Sequence, residues 1–323
     1  MPSASMQVRT NISTQQAHRE MRQNSADKTN AAHRLSSGFR INSAADDPAG
    51  LAITETMTSQ IRGLDQASSN AQDGMSMLQT AEGGMEGIGN KLHRIRELLV
   101  QAANDTNTPE NRLQINKEIQ ELINGIDDMA KRSEFNGFPL LDGRWATADP
   151  DRPGFSAPES PGHRLGQNPL PHVGDNDVHL QVGANSYQGT RVGIGGVSAY
   201  HLALRNADNT LRVATATFDA AGELVALSAK QISEQIGWLN DAMDYVNTER
   251  AKLGSVAVKL GHAMQANDVS SENLTEARSR VRDADMAREM MDFTQMNILF
   301  QAQTAMIAHG NRLPDTVLTL LQQ

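Results

Sequence analysis

The 323-residue sequence predicts a mainly α protein: a long antiparallel coiled-coil-like helical bundle formed by both terminal arms, with a small insertion that contains β-hairpins. Three observations point there. Heptad-spaced apolar residues run through two separate parts of the chain, from Met57 to Leu99 and from Ile232 to Met264. Between them Pro150, Pro153, Pro158, Pro161, Pro169 and Pro171 crowd together and forbid regular helix. Aromatic residues make up 4% of the chain and hydrophobic residues 38%, which is thin for one thick globule but enough for narrow seams filled by Ala, Leu and Met.

The first long helix is signalled by Asp47-Pro48, an N-cap followed by proline at the first helical position, and no further proline occurs until Pro109. Met57, Ile61, Leu64, Ala71, Met75, Leu78, Met85, Leu92 and Leu99 fall on one alternating spacing of three and four, interrupted by Ser68, Glu82, Gly89 and Arg96. At roughly 1.5 Å per residue, about 45 such residues make a rod on the order of 70 Å long. Asp46 and Asp47 sit just ahead of Pro48, where a carboxylate caps a helix start, and that reading is preferred to a cation site. Thr108-Pro109-Glu110 opens a second helix, with Ile115, Ile119, Leu122, Ile126 and Met129 on its stripe. Glu134-Phe135-Asn136-Gly137 supplies the following turn, so the two helices form an antiparallel hairpin. The C-terminal arm repeats the spacing through Ile232, Ile236, Leu239, Met243, Val246, Leu253, Leu260 and Met264.

Composition divides the chain further. Residues 46–143 and 178–284 form a helical body with a small β element, and residues 144–177 form a proline-rich insertion. Segments 179–183 and 190–194 read as strands around a turn containing Asn185, and Leu211 to Leu224 as another hairpin. Residues 1–45 and 285–323 are different again. From Gln7 to Arg34 small and polar residues leave only a broken stripe, a poor helix in isolation that needs a partner to fold. Met286, Met290, Phe293, Leu299 and Leu320, with Val281 just before them, give the other end apolar surface suited to burial in an assembly.

Several function classes are excluded or disfavoured. A net charge of -9 argues against general nucleic-acid binding. Cysteine is absent, so disulfides and thiolate metal sites are excluded. No stretch approaches the roughly 20 apolar residues of a membrane span, so no membrane insertion is expected. The start, Met1-Pro2-Ser3-Ala4-Ser5-Met6, lacks the pattern of a cleavable signal peptide, so if the protein is exported a route without one is expected. No His-Glu-x-x-His occurs, and His163, His172 and His179 are too loosely spaced for a metal site. Gly193-Ile194-Gly195-Gly196 lacks the Lys-Ser/Thr of a phosphate loop and reads as a turn. With no nucleophile, metal or cofactor constellation, neither an enzyme nor a cofactor is expected.

The stretch from Arg34-Leu35-Ser36-Ser37-Gly38-Phe39-Arg40-Ile41-Asn42-Ser43-Ala44-Ala45-Asp46-Asp47 through Ser59-Gln60-Ile61-Arg62-Gly63-Leu64 and Asn70-Ala71-Gln72-Asp73-Gly74-Met75 resembles the N-terminal signature of bacterial flagellins. Ser271-Glu272-Asn273-Leu274 and Ser279-Arg280-Val281-Arg282-Asp283-Ala284-Asp285-Met286-Ala287 resemble the family near the other end. The resemblance covers roughly residues 6 to 143 and 178 to 323. It implies a structural subunit that polymerises with other copies of itself, with both termini in an inner tube, the long helices around it and the middle facing outward. It also implies type III export as an unfolded chain, an export chaperone on the C-terminal segment, and cap and hook-junction proteins as neighbours. Leu35, Ile41, Val281, Met286, Met290, Phe293, Leu299 and Leu320 are then the expected assembly core. By the same resemblance Arg94, Leu98 and Glu118 match the patch contacted by the Toll-like flagellin receptor, unless filament packing is their main role. The short outer part, and Asp142-Gly143-Arg144-Trp145, are similar to spirochaete core flagellins, which sets a periplasmic filament beside an extracellular one. A hook-filament junction protein and a secreted coiled-coil effector or adhesin are the alternatives.

Overall fold

The computed structural model describes residues 12–145, 177–206, 210–218 and 224–321. Among these, five helices are joined by short strands: α1 (Ile12–Ser37), α2 (Pro48–Ala102), α3 (Pro109–Arg132), β1 (Glu134–Phe135), β2 (Phe138–Pro139), β3 (Val178–Gln181), β4 (Gly189–Val192), β5 (Ala216–Phe218), β6 (Leu224–Ala226), α4 (Ala229–Arg282) and α5 (Met286–Leu321). The strands pair antiparallel as β1-β2, β3-β4 and β5-β6. The fold is mainly α with a small β insertion, as expected. The chain divides into one unit of Met1–Ile61 with Glu272–Gln323 and a second of Arg62–Ser271.

In the second unit the heptad seam exists, but its phase differs from the expected one. On α2 the seam runs through Ala67, Ala71, Gly74, Leu78, Ala81, Met85, Ile88, Leu92, Ile95, Leu99 and Ala102, an unbroken alternation of four and three, with Met77 and Leu98 also buried beside it. Met75, Glu82, Gly89 and Arg96 lie beside it, so the interruptions expected from the sequence vanish. The cause is residue size. Gly74 and Ala81 carry little apolar signal, yet they fit where neighbours come close: a Cβ added at Gly74 would stand 2.5 Å from Leu180 Cδ1. The same half-step correction applies to α3, which buries Ile119, Ile123, Ile126 and Ala130 and leaves Leu122 and Met129 half-buried. On α4 the seam runs through Ile232, Gln235, Leu239, Ala242, Val246, Glu249, Leu253 and Leu260, with Ile236 and Met243 beside it.

α2 and α3 run antiparallel as expected, with Gly84 against Ser133 and Gly87 against Met129. α2 and α4 are antiparallel too: Ser68 Oγ donates to Asp268 at 3.2 Å, and Glu82 lies 3.6 Å from Arg250.

Polar residues in these seams dock the irregular middle of the chain. Gln235 Oε1 accepts from Ala214 N at 2.8 Å, Asn116 Oδ1 from Thr215 N at 2.8 Å, and Glu249 Oε2 from Gly195 N at 3.2 Å. Asn267 Nδ2 donates to Val182 O at 2.9 Å. Backbone groups carried into a core without sheet or helix partners must be paired somehow, and helix side chains do it here.

The β3-β4 hairpin stands where alternation placed it. The hairpin expected over Leu211 to Leu224 forms later, as β5 and β6, and Leu211 makes only an isolated bridge to Arg205. The turn at Glu134–Gly137 is real: Asn136 (φ 51°) and Gly137 (φ 77°) are both left-handed, the requirement of a two-residue hairpin loop. Residues Gly193–Gly196 do not form the expected turn: they are an irregular segment in which Ile194 N donates to Trp145 O, and Val197 N, just after it, donates to Leu141 O. A Cβ at Gly196 would stand 2.7 Å from Gly143 Cα, so glycine here allows two chain segments to cross.

Thr108 caps α3, accepting from Asn111 N at 3.3 Å, and Asp47 caps α2, accepting from Gly50 N at 2.9 Å. Asp46 does not cap. Its Oδ2 accepts from Asn42 N, Ser43 N and Ser43 Oγ and closes the preceding turn. Residues 1–11 and 146–176, with most of the proline-rich stretch and His163 and His172, lie outside the described residues.

Candidate functional site

Within the first unit, α1 and α5 pack antiparallel along two complementary heptad rows. Thr14, Ala17, Met21, Asn24, Lys28, Ala31 and Leu35 face α5, and Glu289, Phe293, Met296, Phe300, Gln303, Ile307 and Gly310 face α1. Several of the contacts are polar. Asn24 Nδ2 donates to Met296 O at 3.0 Å and to Gln303 Oε1 at 3.2 Å, Arg34 pairs with Glu289 at 3.3 Å, and the Lys28 ammonium lies 5.8 and 5.4 Å from the ring centres of Phe293 and Phe300. Gly310 is where a side chain would strike Thr14 Oγ1 at 2.7 Å.

The ends of this pair meet in a backbone clasp. Gly38 (φ 73°) closes α1 in the left-handed conformation, donating to Arg34 O at 2.8 Å. Phe39 then bridges to Asp283, Arg40 N donates to Arg282 O at 2.7 Å, and Ala284 N donates to Gly38 O at 2.9 Å. The Arg282 guanidinium covers the Phe39 ring at 4.6 Å and reaches Glu55 at 3.3 Å. Hydrogen bonds from Ser43 and Asn42 hold the Asp46 carboxyl below its ordinary range, which fixes the turn leaving the clasp.

α5 carries more apolar surface than α1 covers. Met290, Met291, Ile298, Leu299 and Met306 are 53, 66, 62, 44 and 69% exposed. Met290, Met291, Thr294, Gln295, Ile298 and Leu299 line a shallow trough along the helix.

The model of the bacterial flagellin N-terminal helical region matches residues 8–146, and that of the C-terminal helical region matches residues 236–321. A flagellin of Bacillus subtilis (strain 168) is 38% identical over 98% of this chain and 100% of its own length. The chain belongs to the bacterial flagellins. The 31.3 kDa flagellar filament core protein of Treponema maltophilum is also 38% identical, over 90% of each chain. A crystal structure of Bacillus cereus flagellin aligns at a TM-score of 0.41 with 23% identity, covering 62% of this chain and 88% of that one.

In this flagellin two of the stretches that carried the resemblance, residues 34–47 and 279–287, are brought together at the Phe39–Asp283 clasp. The expected assembly residues then separate by environment. Met286, Met290 and Leu299 are exposed, Leu35, Val281 and Phe293 are half-buried, and the Leu320 side chain lies outside the described set. Ile41 is 1% exposed, and a Cβ on Gly50 would stand 2.8 Å from its Cδ1, so it serves the fold of the chain itself. Asn24, Lys28 and Gln303 escaped the sequence reading because polar residues on a heptad row look like solvated ones. Their even spacing was the available signal.

On the second unit, Arg94 and Glu118 are brought together at 2.9 Å, with Glu97 3.0 Å from Arg94, and the Glu118 hydrogen bond foremost raises the Arg94 pKa. Leu98 is only 2% exposed and lies in the core. His179 packs across Gly189 on β3-β4.

Proposed function

We infer that this flagellin is a structural subunit that polymerises with copies of itself into a bacterial flagellar filament for motility. The open apolar face of α5 carries the reading. Among the described residues a single chain leaves six large apolar side chains of one helix partly in water, and complete burial of such a side chain contributes on the order of 1.5–3 kcal/mol. Polymerisation is the process that removes them from water in every subunit at once.

Around that core, residues 1–45 and 285–323 form the inner tube, residues 46–143 and 178–284 the surrounding layer, and residues 144–177 the outer surface. The chain travels as an unfolded polypeptide through the flagellar type III apparatus, with a chaperone on the C-terminal segment, and meets cap and hook-junction proteins in the flagellum. The filament is extracellular. The similarity to the Treponema core protein supports a periplasmic filament as the second reading. The exposed Arg94–Glu118 pair serves subunit packing first and is open to a Toll-like flagellin receptor in the monomer, while Leu98 is buried in the chain's own core. The chain has no catalytic role.

The test is electron microscopy of purified monomer seeded with short filament fragments, beside a chain lacking residues 1–35 and 285–323. Long tubes from the intact chain and none from the truncated one are expected. Monomers that persist from both overturn the filament reading and favour a junction protein or a secreted effector.

A further inference from the structure

The loop between β3 and β4 is held unusually firmly for a surface turn. Gln181 Nε2 donates to Gly183 O and Asn185 O, both at 2.8 Å, Gln188 Oε1 accepts from Asn185 N at 2.9 Å, and Val182 N donates to Gln188 O at 3.1 Å. Helix side chains fix it from below. Asn70 Nδ2 donates to Gln181 O at 3.2 Å, Asn267 Nδ2 to Val182 O, and Gly63 leaves just enough room for Ala184. At the tip of this fixed loop stands Tyr187, fully exposed at 101% and in the left-handed region at φ 65°.

Nothing among the described residues explains that side chain. Glycine or asparagine adopts a left-handed turn position more readily, and a bulky aromatic there persists only where something else is gained. The ring leaves all its apolar surface in water on a scaffold that has already lost its freedom. A rigid, exposed aromatic at the end of an ordered loop is the kind of residue that dominates binding interfaces. The loop around it, Gly183-Ala184-Asn185-Ser186-Tyr187-Gln188-Gly189, carries no charge and has the small, amide-rich composition of protein-binding loops. A nucleic acid or an anionic lipid surface would demand basic residues in that place.

We propose that Tyr187 is a contact anchor between neighbouring copies of this chain, seated in a surface of the adjacent subunit. This rests on the filament reading. A knob used once per subunit suits the head-to-tail, heterologous contacts from which helical polymers are built, and in a polymer the adjacent copy is always within reach.

Tyr187→Gly, Tyr187→Ala and Tyr187→Phe are compared with the unaltered chain for critical concentration of polymerisation and for the melting midpoint of the monomer. A photoreactive p-benzoylphenylalanine in place of Tyr187 is irradiated in filaments and in monomer. The Gly and Ala variants are expected to raise the critical concentration roughly tenfold without lowering the monomer melting midpoint, and the Phe variant to stay near the unaltered chain. Cross-linked pairs of chains are expected in filaments and not in dilute monomer. Critical concentrations equal to that of the unaltered chain overturn the proposal, as does a monomer melting midpoint that falls in step with polymerisation. If the unaltered chain itself fails to polymerise on seeds, the filament reading falls and this inference with it.

Discussion

Asn24 and Met296 are joined across the two terminal helices by a hydrogen bond of 3.0 Å from the Asn24 amide to a main-chain oxygen of α5, and the same nitrogen reaches Gln303. The contact lies in the middle of a seam in which few side chains are fully buried, so one polar link carries a large share of the register. Asn24→Ala is expected to cost about 1 kcal/mol, and to speed amide exchange along α1 and α5 while leaving exchange in residues 62–271 unchanged. Uniform acceleration across both units would contradict this.

Heptad logic alone recommends leucine at position 235, since Gln235 occupies a seam position between Ile232 and Leu239. The structure reverses the advice. Gln235→Leu strands the buried Ala214 N–H and is expected to destabilise the second unit by about 1–3 kcal/mol, seen as a lower urea midpoint.

Gly143 is left-handed (φ 88°), and a Cβ there would overlap His201 Nε2. Gly143→Ala is expected to cost about 2–4 kcal/mol from backbone strain and overpacking combined. Gly83→Ala is the control. It sits inside α2 with open space around it and should gain about 0.5–1 kcal/mol, so thermal melts of the two variants should move in opposite directions.

The Asp46 carboxyl is held below its ordinary value of 3.8 by backbone hydrogen bonds from Ser43 and then Asn42. A depressed folded-state value means the unfolded chain takes up the proton first as pH falls. The stability from Asp46 is therefore complete above 3.8 and lost as pH drops through the lower folded value. Asp46→Asn should flatten the acid limb of the unfolding curve around and below 3.8 and leave its slope near neutrality unchanged. An unaltered acid limb would show that the turn does not need the charge.

How far the sequence could be read follows from what each seam residue displays. Met85, Leu92, Leu99, Leu239, Val246 and Leu253 are apolar, regularly spaced and buried, so one member of each heptad pair was legible. The other member is often Gly, Ala, Gln or Glu, and apolar counting passes over such residues to a neighbour such as Met75 or Ile236. Gln235 and Glu249 are buried because distant backbone N–H groups need them, which no local pattern announces. The family signature marked Arg34–Asp47 and Ser279–Ala287 but did not show that they meet. It did not separate Ile41, enclosed in its own chain, from Met290 and Leu299, which face outward. Tyr187 gave no signal at all, because its exposure and its backbone angle belong to the folded loop.

The span of chain between partners sets an order of events in folding. Arg94 and Glu118 are 24 residues apart, so the α2-α3 hairpin forms from nearly local encounters. Asn267 finds Val182 across 85 residues and Asn116 finds Thr215 across 99, later steps that fasten the middle segment. Asn24 and Met296 are 272 residues apart, which adds about 2 kcal/mol of closure entropy over the hairpin if nothing between them is ordered. Once residues 62–271 have folded, most of that intervening chain is fixed and the added cost shrinks. The terminal arms thus come together last and open first, keeping both ends of each newly folded chain longest in the unpaired state.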